Sequence, residues 1–160
     1  MIKIILTVIA ACSVGLACAE SGNVETVSHG IISNSLTLDY GNSKSSTAQT
    51  RGAAKVMQSD VSFFPLGRVT SFECFGVNSS DGTNQSGTSQ CLITDSDGDK
   101  LRQNFVRTEA TPKLVKGTVD GVGLTGKYLG MTGIGTYELQ LIQNNGYTYS
   151  STVVKMKVTK

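Results

Sequence analysis

The sequence predicts an all-β domain, and three observations carry that reading. Strand-length runs with period-two alternation recur along the chain. Turn signals separate them at short spacing, and Gly, Ser, Thr and Asn interrupt nearly every window long enough for three helical turns. A single barrel of about eight antiparallel strands and a β-sandwich both satisfy this pattern.

The first residues read as an export leader rather than as part of the fold. Met1-Ile2-Lys3 opens with a charge, an apolar run follows from Ile4 to Leu16, and Ala17-Cys18-Ala19 supplies a small-x-small cleavage site before Glu20. Residues 1–19 are therefore expected to be removed, leaving 20–160 as one domain that starts at Glu20 and is secreted or periplasmic. The run is shorter than the roughly 20 apolar residues a membrane span needs, so no transmembrane segment is expected in the mature protein. Lipoprotein processing at Cys12 or Cys18 is the alternative.

Losing Lys3, the leader's one charged residue, lowers the formal charge from +2 to +1. So small a charge, with Lys and Arg scattered singly, lacks the basic stripe of a nucleic-acid binder. Two of the four cysteines go with the leader, and Cys74 and Cys91 remain. In an exported chain that pair reads as a disulfide. A zinc site is not expected, because the single histidine, His29, lies far away in sequence.

The strands are expected in the following order. Ser35 to Tyr40 alternates Leu36, Leu38 and Tyr40 against polar residues; Ala53 to Phe63 follows, although Ala48 to Gln58 also suits a brief helix. Arg68 to Asn78 is aromatic and β-branched, and Ser89 to Asp95, Lys100 to Thr108 and Lys113 to Asp120 come next. A short strand near Gly126 to Leu129 precedes Thr136 to Gln143 and Tyr147 to Thr159. Asp97-Gly98 and Asn145-Gly146 each sit between two runs and predict two-residue hairpins with positive φ at both central positions. In the last strand Val154, Met156 and Val158 face inward while Lys155 and Lys157 keep the other face in water. Gly41 to Thr50 and Asn78 to Ser89, rich in Ser, Asn, Thr and Gly, read as exposed loops.

Three segments imitate chemistry. Gly121 to Lys127 matches the opening of a phosphate-binding loop, and Gly121-x-Gly123-x-x-Gly126 has dinucleotide spacing. Yet Tyr128 stands where Ser or Thr should reach Mg²⁺, and the glycine-dense run after it forms no helix. These glycines are expected to make tight turns, so that Lys127→Ala leaves stability and nucleotide affinity unchanged while Val at Gly126 or Gly133 damages folding through positive-φ strain. Asp95, Asp97 and Asp99 alternate like a calcium loop, but Gly98 stands fourth and Val106 twelfth, against the sixth-place Gly and twelfth-place Glu of an EF-hand. A hairpin turn explains them without a metal, and calcium there is the alternative. Glu73 and Glu138, both inside strands, are expected on the outer surface, and His29 is expected to be exposed. No catalytic constellation and no cofactor is assigned.

Taken together, Cys74, Cys91 before Asp95-Ser96-Asp97-Gly98-Asp99, and the run from Gly121 to Tyr137 resemble the small secreted proteins of the allene oxide cyclase and dirigent-like barrel superfamily. Leu124-Thr125-Gly126-Lys127-Tyr128-Leu129-Gly130-Met131-Thr132-Gly133-Ile134-Gly135 stands in place of a glycine-rich phrase between late strands of that group, with Leu124 where Gly is commoner. The likeness spans about residues 67–152 and implies an eight-stranded antiparallel, calycin-like barrel. Plant members cyclise an epoxide or guide radical coupling inside the barrel; no residue of this chain matches their functional positions.

A barrel of about eight strands has room for packed side chains or one small ligand. A non-catalytic binding or structural protein, holding a small apolar molecule, is the expected function. Phe72, Tyr137, Leu139 and Leu141 are its expected pocket lining, by aromatic content and period-two alternation. A cofactor-free cyclase or isomerase, and a secreted inhibitor or effector acting through the Asn78 to Ser89 loop, are the alternatives.

Overall fold

A computed structural model describes residues 19–82 and 84–160, so residues 1–18 of the expected leader, with Cys12 and Cys18, lie outside the described residues. Eight antiparallel strands close into one barrel in chain order, the last pairing with the first. They are β1 Ser21–Asp39, β2 Ser43–Ser59, β3 Val69–Asp81, β4 Asn84–Asp95, β5 Lys100–Ala110, β6 Leu114–Gly123, β7 Thr132–Asn144 and β8 Tyr147–Thr159. The barrel, rather than the sandwich, is thus the fold. Among the described residues no helix is long and apolar enough to cross a membrane.

Several local expectations are corrected. Residues 21–34 form most of β1 although they lack apolar alternation, and the segment from Ala48 to Gln58 is strand, not helix. Gly41 to Thr50 and Asn78 to Ser89 are largely strand as well, so neither is the exposed loop expected; β3 and β4 run in register up to the Asp81–Asn84 pair. Gly126–Tyr128 is a single 3-10 turn. Asn145-Gly146 makes the expected two-residue hairpin, with φ of 49° and 80° closing the Asn144–Tyr147 pair. At Asp97-Gly98 only Gly98 has positive φ. That connection is instead a longer turn wrapped around the Asp95 carboxylate, which accepts from the Asp97 and Asp99 amides.

The two ends of the barrel differ. Short turns join the strands at one end. At the other the β2–β3 connection folds underneath and buries Val61, Phe63 and Phe64, while the β6–β7 connection buries Tyr128 and Met131. Phe64 packs on Tyr128 with ring centroids 5.0 Å apart. These side chains join Val24, Val56, Leu101, Val119, Met156 and Val158 in an apolar plug. Gly126 holds the β6–β7 turn with φ +54°, and a Cβ there would meet the Asp99 carboxylate. Gly133 has no positive φ; its constraint is contact, since an added Cβ would lie 2.8 Å from Met156 Cε and 2.9 Å from Val158 Cγ1. Val at either position is expected to cost about 1–3 kcal/mol, by backbone strain at the first and overpacking at the second, read as a lower urea midpoint.

Candidate functional site

Above the plug the barrel is hollow. A cavity of about 220 Å³ rises from a floor of Val56, Phe64 and Leu101 toward the end with the short turns. Its size follows from the inward-facing residues. On β1 and β2 most of these are small, Thr26, Ser28, Ala48, Thr50 and Ala54, as are Ser150 and Thr152 on β8, and such side chains are too short to meet at the barrel axis.

The four residues named from sequence all line this space: Phe72 from β3, and Tyr137, Leu139 and Leu141 from one face of β7. Ile32, Ile93 and Phe105 extend the apolar surface, Phe105 standing edge-on to Tyr137 with ring centroids 5.1 Å apart. Cys74 and Cys91 form the disulfide across directly paired positions of β3 and β4, with Cα atoms 4.0 Å apart, and both line the wall.

Sequence reasoning missed the charged member of the lining and its hydrogen-bond partner. Arg107 of β5 is the one charged residue among the described residues lining the cavity, and its Nη2 donates to Asn78 Oδ1 at 2.7 Å. Its Nε–H is buried without an acceptor. Burial pushes the Tyr137 phenol up, with the Arg107 charge opposing. The signal for Arg107 was in the β5 run: Leu101, Gln103, Phe105 and Arg107 alternate against Arg102, Asn104 and Val106, which places a cation on the inner face.

The other candidates lie elsewhere. Glu73 pairs with Arg51 at 3.0 Å and Glu138 with Lys116 at 3.3 Å, both on the outer wall. His29 is exposed on β1. Asp95, Asp97 and Asp99 do converge, with one ligand atom from each within 4.8 Å of the others, but a cation of the chain already sits among them. Lys127 Nζ pairs with Asp95, lies 2.6 Å from Asp97 and 3.5 Å from Asp99, and Arg68 Nη1 stands 2.8 Å from Asp97. The Asp95 side chain has no exposure, and Tyr128 donates its hydroxyl to it at 3.2 Å. Burial alone would raise the Asp95 carboxyl; the Lys127 ammonium and the Asp97 and Asp99 amides outweigh it and hold the group below the ordinary range. Desolvation favours the neutral Lys127 amine, but the hydrogen bonds to Asp95 and Asp97 win and push its pKa up. The segments that imitated a calcium loop and a phosphate loop are thus two halves of one clasp beneath the plug. The expectation that Lys127 is dispensable for stability is corrected, since it neutralises a buried carboxylate.

No protein-family model matches the chain, and no curated protein matches it. Among solved structures the barrel is similar to that of the pterocarpan synthase dirigent protein GePTS1, with a TM-score of 0.47 and 9% identity, over 95% of this chain and 96% of that one.

Proposed function

We propose that the protein is a non-catalytic, secreted or periplasmic binding barrel that encloses one small apolar molecule. The observation that carries this reading is the cavity itself, walled by Phe72, Phe105, Tyr137, Leu139 and Leu141 where a solid core would otherwise stand. An apolar cavity of about 150 Å³ suffices for benzene, so about 220 Å³ admits a single ring with a short arm or a medium alkyl chain. The disulfide fits the oxidising compartment that an export leader would reach.

Native mass spectrometry of protein from its own host is expected to show a retained small molecule. With ligand-free protein, calorimetric titration with 1-octanol is expected to show one saturable site. Leu141→Trp, which fills the cavity from β7, is expected to weaken that binding at least about tenfold without lowering the melting temperature. The absence of any saturable 1-octanol binding, or an unchanged affinity in the folded Trp variant, overturns the reading.

A further inference from the structure

We propose that the ligand of this cavity is an apolar carboxylate, its anionic group bound by Arg107; the proposal rests on the binding-barrel reading and names its ligand class. Arg107 is half-buried among uncharged lining residues, and withdrawing even part of a cation from water costs free energy unless it is paired. Three surface cations of this barrel have such partners: Arg51 has Glu73, Lys116 has Glu138, and Lys155 has Glu25. Arg107 does not. Among the described residues no carboxylate pairs with it, and its single acceptor is the neutral amide oxygen of Asn78.

A guanidinium carries five N–H donors in a planar fork that matches a carboxylate bidentately. Asn78 engages Nη2 and positions the fork, and the Nε–H remains buried with no acceptor. That leaves donors and a full charge for which the wall supplies no counterpart. The Tyr137 hydroxyl, on a ring buried in the same wall, also finds no hydrogen-bond partner among the described residues. Arg107 is in register with Gly117 of β6 and Gly117 with Tyr137 of β7, so the two side chains stand at one level of the barrel with only a glycine position between them, and both line the cavity. A carboxylate there would neutralise the cation and accept from both groups, while its apolar body lies against Phe72, Phe105, Leu139 and Leu141.

The test is a matched pair of eight-carbon probes titrated into ligand-free protein near neutral pH: octanoate, which is ionised, and 1-octanol, which is not. Octanoate is expected to bind about 10- to 100-fold more tightly, the range for charge-assisted hydrogen bonds in a desolvated site. Arg107→Gln is expected to abolish the preference, whereas Arg107→Lys retains part of it as a point charge without the fork. Circular dichroism melts of both variants confirm folding, and if Arg107→Gln fails to fold the Lys variant carries the test. Equal affinity of wild type for the two probes overturns the carboxylate proposal and leaves the binding barrel standing. So does an octanoate preference that survives in either folded variant at wild-type size. Failure of both probes to bind removes the binding barrel itself.

Discussion

Lys127→Ala is expected to destabilise the barrel by about 2–3 kcal/mol, near the lower edge of the cost of unpairing a buried ion. The cost stays there because Arg68, the Asp97 and Asp99 amides and the Tyr128 hydroxyl still face Asp95. The same clasp sets an acid limit. The Asp95 carboxyl titrates below its unfolded value in the native state, so the unfolded chain takes up its proton first as the pH falls. The stabilisation is therefore complete above about pH 5 and lost progressively as the pH drops through and below about 4. Urea midpoints measured from pH 3 to pH 7 should fall at the acid end in the wild type. They should fall less steeply in Asp95→Asn, which starts lower and has no proton to gain at that site. Identical pH slopes in the two proteins would remove Asp95 from this role, and a wild-type midpoint in Lys127→Ala would remove the clasp.

Reducing the disulfide, or replacing both Cys74 and Cys91 with Ala, is expected to cost about 3 kcal/mol. The chain-entropy model gives that value for a loop of this length, and the two cysteines are separated by 17 positions. For a domain of this size the cost corresponds to a melting temperature lower by very roughly 10 °C. Because both cysteines line the wall, the Ala pair also widens the cavity, so 1-octanol binding measured beside the melt separates a looser site from a less stable fold. Two titratable thiols in unfolded, non-reduced protein would defeat the prediction at its first step.

How much of this was readable depends on what each strand encloses. β7 and β8 announce themselves because Tyr137, Leu139, Val154, Met156 and Val158 face inward against Thr136, Glu138, Lys155 and Lys157. Residues 21–34 of β1 and the first half of β2 do not. Their inner faces carry Thr26, Ser28, Ala48 and Thr50, and an inner wall of small polar residues erases the apolar alternation by which a strand is recognised. The silence of those segments and the presence of the cavity have one cause. The pocket residues on β3 and β7 were legible through their aromatic and aliphatic spacing, whereas Arg107 was passed over within a correctly placed strand because its inward register was not weighed. The clasp escaped for another reason. Asp95 and Lys127 are 32 positions apart, and each segment was judged alone against a ligand-binding motif, while the structure makes each the other's counter-ion.

The seam between β1 and β8 has a kinetic meaning. It pairs Ser21 with Thr159 and continues to Ile32 with Thr148, and the backbones of Glu20 and Lys160 exchange hydrogen bonds beyond it. Every other strand pair joins neighbours in sequence and can form as a hairpin or meander. This one closes nearly the whole chain into a ring, so its entropy must be spent before any of its bonds are gained. An open sheet with one unsatisfied edge on each side is the natural precursor, and such a sheet has walls but no interior. A guest molecule therefore cannot stabilise the early stages of folding. It can act only at the closing step or after it, and its mark on the native barrel would be a slower opening of the seam, with amide exchange from Val24 to Ser28 retarded more than exchange in the β3–β4 hairpin.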